Sequence, residues 1–189
     1  WSGVSDVVRG QVAGSVPGMG AAATQAGFDV GNRNRVFELI QEGLAAEQVI
    51  LRVTDPEWDD ELDRRQYGVV TMHDGLVHVA GYTTPLRQGT STDDDGDVRY
   101  AGVMADASHG VSSQGNTLES AEVVSRPLDA FRWEDPAGFN MLSDRLMRAL
   151  EAGSAAGGDV RCNNESVRQT AAMAVILVAR GGDEPYATA

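Results

Sequence analysis

Four short stretches carry the polar residues whose types suit ligand contact. They are Thr24 and Gln25 in ATQA, Arg65 and Gln66 in RQYGVV, Gln114 and Asn116 in QGN, and Asp159 and Arg161 in GGDVR. Amide and guanidinium groups donate hydrogen bonds, and a carboxylate accepts them, so together they offer both halves of polar recognition. Each falls at the end of a segment that reads as a strand. Taken one at a time they have ordinary uses as turns, caps or satisfied polar groups, and an Arg beside an Asp is ordinarily a structural ion pair.

Spacing gives less support to other chemistry. His73, His78 and His109 show no HxH or HExxH pattern, and His73 sits in a hairpin turn, where exposure is expected. In STDDDGDVRYAG, Gly96 at loop position 6 would put Ser91, Asp93 and Asp95 at positions 1, 3 and 5. Position 12 is then Gly102, where an EF-hand needs a bidentate Glu, so this is no EF-hand. An irregular calcium site at Asp93, Asp95 and Asp97 stays open beside a plain solvated loop; otherwise neither a metal nor a cofactor is expected. No GxGxxG or GxxxxGK[ST] follows a strand, and no GxSxG elbow occurs. Cys162 is the only cysteine, which excludes a disulfide framework within these residues and a CxxC site. It reads as a free thiol, a nucleophile or half of a bridge. Asn164-Glu165-Ser166 is a glycosylation sequon, meaningful only in a eukaryotic secretory protein.

The net charge of −13 repels phosphate backbones and anionic lipid, so neither nucleic acid nor a membrane surface is an expected partner. Much of the acid lies in DPEWDDELD at 55–63 and DDDGD at 93–97, which read as solvated surface. At 42% hydrophobic and 23% charged, the 189 residues suit an ordinary folded domain rather than a disordered chain. No apolar run reaches the roughly 20 residues that span a bilayer.

The elements that must position the polar residues follow from local pattern. Two short strands are expected near 4–8 and 19–25, with Pro17-Gly18 as a turn. Val36, Phe37, Ile40 and Leu44 mark a helix, capped by Asn32 or Asn34 and ended by Gly43. A second helix is expected at 45–53, before Pro56. RQYGVVTMHDGLVHVAGY at 65–82 is a hairpin whose Asp74-Gly75 suits a type I′ turn. Residues 83–99 read as a polar surface excursion, followed by strands in YAGVMADAS and GVSSQGN. A helix from Leu118 to Phe131 is expected to kink or break at Pro127. Another, at 138–152, would bury Met141, Leu142, Leu146, Ala149 and Leu150 and close at Gly153. VRQTAAMAVILVAR at 167–180 reads as a central strand. The succession predicts a single α+β domain over residues 1–189, with mostly antiparallel sheets.

The same words in the same order carry a resemblance: ATQA, EGL, RQYGVV before a DG hairpin, QGN, LMRALEAG running into GGDVRC, and RQTAAMAVILVAR. Over about residues 12–186 the chain resembles the DUF1028 family, a family of unknown function grouped with N-terminal-nucleophile hydrolase-like proteins. The resemblance implies an αββα sandwich of two mostly antiparallel sheets covered by helices. It implies an amidohydrolase-like activity on a small-molecule or peptide amide. The alternative is a non-catalytic secreted binding or assembly subunit on the same fold.

In such hydrolases an N-terminal Thr, Ser or Cys attacks, with its own α-amine, of pKa about 7.7–8.0, as base. Trp1 offers no nucleophile, and Ser2 has no free α-amine. Family members open with a strand ahead of the Gly-rich segment that these residues lack, so an N-terminal segment is expected to precede Trp1. By the same resemblance Asn116 is an oxyanion or substrate donor and Asp159 shares the catalytic site. Gln25, Arg65, Gln66 and Arg161 contact substrate, Arg65 through a bidentate grip on a carboxylate. Cys162 matches a family cysteine whose partner lies in the missing segment, which implies a disulfide and a secreted or periplasmic location, with the cytoplasm as the alternative. A homo-oligomer is the default expectation.

Overall fold

The computed structural model describes residues 13–27, 29–92, 98–164 and 167–168. The strand expected near 4–8, the acidic triplet Asp93, Asp95 and Asp97, and all of the strand expected at 167–180 except its first two residues lie outside this description. The described chain is mixed α+β. It has a four-stranded and a three-stranded antiparallel sheet, a two-stranded ribbon and four α-helices. Residue contacts group into two compact units. Among the described residues the first takes 13–27, 29–84 and 105–112, and the second takes 85–92, 98–104, 113–164 and 167–168.

In the first unit, β1 (Ala13–Val16), β2 (Gly20–Gln25), β3 (Gln66–His73) and β4 (Leu76–Thr83) form an antiparallel sheet in that order. Alternation along β3 sorts its residues to two faces. Tyr67 and Val69 join Ala22 and Val16 in a core closed by α1 (Val30–Gln41) and α2 (Ala46–Val53). Val36, Phe37, Leu39 and Ile40 come from α1, and Val49 and Val53 from α2. Gln66 faces the other way, in register with Gln25 on one side and Thr83 on the other. Gly20 is required by close approach: a Cβ there would stand 2.4 Å from the Val70 carbonyl oxygen of the adjoining strand.

The helix ends are set by identifiable bonds. Asp29 caps α1, accepting from the Asn32 backbone N–H at 2.8 Å, so neither Asn32 nor Asn34 is the cap. Asn32 is already inside the helix, with its side chain committed elsewhere. At the far end Gly43 takes φ 83°. The N–H groups of Gly43 and Leu44 then return to the carbonyls of Ile40 and Leu39, a Schellman closure. Asp74 and Gly75 both adopt positive φ, 50° and 74°, as a type I′ turn demands.

Mostly in the second unit, β5 (Gly89–Thr92) pairs with β6 (Val98–Asp106), which neighbours β7 (Val111–Leu118). The expected surface excursion at 83–99 therefore contains a sheet strand. Helix α3 spans Glu122–Arg132 and α4 spans Leu142–Ala155. The first starts four residues later than the sequence suggests. Leu118 is held in β7 and bridges to Asp159, and the Glu119 N–H donates to the Gly158 carbonyl at 3.0 Å.

Pro127 does not break α3. Its missing N–H costs one helical bond to the Val123 carbonyl, and Gly153 of α4 packs against that spot. A Cβ at Gly153 would lie 3.3 Å from the Pro127 ring and 3.4 Å from the Val123 oxygen. Gly153 is thus a buried contact inside α4 rather than its end. Of the five apolar residues expected to share a buried face, Ala149 is buried, whereas Met141, Leu142 and Leu150 are exposed. The 3₁₀ turn Val160–Cys162 leads into β8 (Asn163–Asn164), which pairs with β9 (Val167–Arg168).

Candidate functional site

The first unit gathers Gln25, Arg65 and Gln66 at one end of its sheet. Beyond β2 the chain turns through two successive left-handed residues, Ala26 at φ 59° and Gly27 at φ 88°. The turn brings Gly27 against Arg64, and the Gly27 carbonyl accepts from Arg65 Nη1. Gln25 Nε2 donates to Gln66 Oε1, and Gln66 Nε2 donates to Thr83 Oγ1 at 2.8 Å. Gln66 is fully buried. These three side chains form a ladder across β2, β3 and β4.

Arg65 is committed to the protein itself. Its Nε donates to Asp59 Oδ2 at 2.6 Å and its Nη2 to Asp59 Oδ1 at 3.1 Å. Both side chains are almost wholly buried, 8% exposed for Arg65 and 4% for Asp59. Asp59 also accepts from Asn32 Nδ2 at 2.7 Å and from the Glu61 N–H at 3.0 Å, while Trp58 Nε1 donates to Asn32 Oδ1 at 2.8 Å. The bidentate fork expected for a substrate carboxylate is filled by Asp59. Burial alone would push the Asp59 carboxyl up, but the hydrogen bond from Arg65, the Glu61 N–H, the Arg65 charge and the Asn32 amide outweigh it and hold it below its ordinary value.

Asp59, Asn32 and Trp58 were not legible as a group in the sequence. Asp59 sits in the acidic run that reads as solvated surface, yet it is buried. Its neighbours Asp55, Glu57, Asp60 and Glu61 are exposed as expected. A signal existed in composition only: a Trp and a Pro interrupt the acids in DPEWDD.

The second unit holds Asn116, Asp159 and Arg161. Asn116 Oδ1 accepts from Thr117 Oγ1 at 2.9 Å. Thr117, a β-branched residue, is held at φ 57°. Such a conformation costs about 1–3 kcal/mol and persists where the surroundings over-determine it. One residue further on, Leu118 bridges to Asp159. Arg161 Nε lies 2.9 and 3.1 Å from the two Asp159 oxygens, its Nη2 also donates there, and its backbone N–H caps Asp159 Oδ1 at 3.0 Å. Burial raises the Asp159 carboxyl, and the Arg161 hydrogen bonds and charge more than reverse this, so the group stays an ionised acceptor at neutral pH. The Cys162 side chain lies outside the described residues, and so does any pairing it makes.

The histidines give no relay. Ser108 Oγ and Asp106 Oδ2 both lie 2.9 Å from the same His109 Nδ1, whereas a catalytic triad needs them on opposite ring nitrogens. His73 is half-exposed, its Nδ1 2.5 Å from the Gly43 carbonyl oxygen, and its ring meets His78 edge to face at 5.8 Å. Among the described residues no group of three His, Cys, Asp or Glu side chains could hold a metal ion, and no helix is long and apolar enough to cross a membrane.

No curated protein matches the chain. Among solved structures, the crystal structure of protein SPO2555 from Silicibacter pomeroyi, a DUF1028 protein, is similar, with a TM-score of 0.61 and 24% identity. The match covers 80% of this chain and 58% of that one, so it speaks for the fold alone, over little more than half of the relative's length. The model of a family of unknown function, DUF1028, matches residues 4–188. That span takes in both units and every polar residue discussed above, and the chain belongs to the DUF1028 family.

Proposed function

We propose that the protein is amidohydrolase-like, and that its two main sheets are the inner layers of an αββα sandwich of the N-terminal-nucleophile type. In this reading Asn116 donates to the oxyanion formed when an amide carbonyl is attacked. The supporting observation is its setting. The Thr117 hydroxyl occupies Oδ1 and so fixes the amide plane, and Nδ2 makes no hydrogen bond to a described residue. A preoriented donor costs no reorganisation as charge develops, which is what oxyanion stabilisation requires. Asp159, ionised and gripped by Arg161, keeps the adjoining turn in place.

The attacking group in this mechanism is an N-terminal Thr, Ser or Cys, and the balance is that of ordinary acyl transfer. The hydroxyl or thiol adds to the carbonyl carbon, the α-amine takes its proton, the C–N bond breaks with that proton passing to the leaving amine, and water releases the acyl group. Substrates are small-molecule or peptide amides, and the setting is secreted or periplasmic.

The test uses the native full-length protein. It is screened against N-acyl amino acids and short peptide amides by release of free amine. Asn116→Ala is expected to lower kcat by about 10²–10³ with little change in KM. An unchanged kcat would remove Asn116 from the chemistry. A second reading, a non-catalytic binding subunit, is favoured by one observation: the Arg65 fork, the most natural anchor for a substrate carboxylate, is filled by Asp59. A wild type that turns over no amide while binding peptides would decide for it.

A further inference from the structure

Helices α1 and α2 enclose a groove of about 880 Å³ that opens to solvent. Leu39, 1% exposed, forms its floor beside Leu44. Leu51 stands on the rim and is 72% exposed, although it belongs to a helix whose Val49 and Val53 are fully buried. The groove's charged lining is Arg35 of α1 and Glu42 just after it, and Arg52 of α2 and Asp55 just beyond that helix. Two cations and two anions cancel. The chain as a whole carries −13, so two copies repel each other over most of their surface but not here.

We propose that this face joins two copies of the chain about a two-fold axis. An interface of that symmetry must be complementary to itself, and this one has both halves of each contact. A projecting Leu51 meets the apolar floor at Leu39 and Leu44 of the second copy. Arg52, which makes no ion pair with a described residue of its own chain, meets the second copy's Glu42. Arg35 is less available, since it already spans Glu38 and Glu42 at 3.3 and 3.4 Å and lies over the Trp58 ring. The inference does not depend on the hydrolase reading.

The experiment is molar mass by light scattering and sedimentation at micromolar protein concentrations. Wild type is expected at twice the chain mass. Leu51→Arg replaces an exposed side chain, so the fold should survive, as circular dichroism would verify. It is expected to weaken dimerisation at least about tenfold. Arg52→Glu should weaken it too, and adding Glu42→Arg should restore it by reversing the pair. Met141→Arg, at the apolar residue that precedes α4 and is 73% exposed, should leave the mass unchanged. A monomeric wild type overturns the proposal and leaves the groove to another occupant, such as a segment outside the described residues. A dimer indifferent to Leu51→Arg, or one dissociated by Met141→Arg instead, overturns it as well.

Discussion

Removing the Asp59 carboxylate should be among the most damaging single changes in the first unit. In Asp59→Ala the Arg65 guanidinium, 8% exposed, keeps its charge and loses both arms of its fork. Asn32 Nδ2 and the Glu61 N–H lose an acceptor at the same time. Breaking a buried pair from one side costs about 3–5 kcal/mol, because an uncompensated charge remains. For a chain of this size that is a fall in Tm of roughly 6–20 °C. The cost belongs to the orphaned charge, so Asp59→Leu combined with Arg65→Met, which removes both charges, should recover most of it. The pH dependence has a definite sign. The folded Asp59 carboxyl lies below its ordinary value of 3.8, so its contribution is complete above that value and fades as pH falls through the lower, folded one. The gap between wild type and Asp59→Ala should therefore be constant near neutrality and narrow only in strong acid. Urea unfolding as a function of pH measures all three. A gap under about 1 kcal/mol at neutral pH, or a double variant no better than the single, would refute the reasoning.

Two glycines should separate crowding from backbone conformation. Gly20→Ala meets the Val70 oxygen and must push β2 from β3, costing about 1–3 kcal/mol, whereas Gly75→Ala meets nothing within 4 Å and should cost only the left-handed penalty of about 1 kcal/mol. Equal losses in thermal unfolding would contradict this. Thr117→Gly relieves a strained φ of 57° and should leave stability within about 1 kcal/mol of wild type or above it, while it frees the Asn116 amide and lowers kcat on any amide substrate. Stability and activity falling together would mean that Thr117 is needed for the fold rather than for the site.

What was legible in the sequence is what local chemistry decides. Asp74-Gly75 specifies its own turn, because two consecutive positive φ angles admit few other residues. Val36, Phe37 and Ile40 specify the buried face of α1 by spacing, and Gly43 specifies its end. The departures have non-local causes. Asn32 looks like a cap, but Asp59, 27 residues away in sequence, takes its side chain. Leu118 looks helical, but the bridge to Asp159 keeps it in β7. Pro127 looks like a break, but Gly153 on another helix makes room for it. No period or propensity in a window of a dozen residues carries that information.

The candidate site shows the same limit in its sharpest form. Gln25 and Asn116 are amides of the same kind, each near the end of a strand, and each is followed by a non-glycine residue forced to positive φ, Ala26 at 59° and Thr117 at 57°. Sequence treats the two as equivalent. The structure separates them by what surrounds each amide. The Gln25 amide donates to Gln66, which passes the bond on to Thr83, so that ladder closes within the protein. The Asn116 amide is oriented by Thr117 on its oxygen side, while its nitrogen has no described partner. Ala26 adjoins a ladder that is already complete; Thr117 adjoins a donor that is not. That nitrogen is open to water, and a ligand oxygen can take the water's place. Of the two amides, Asn116 is therefore the one to which the proposed oxyanion role is given, its nitrogen left without a described partner while its oxygen side is held.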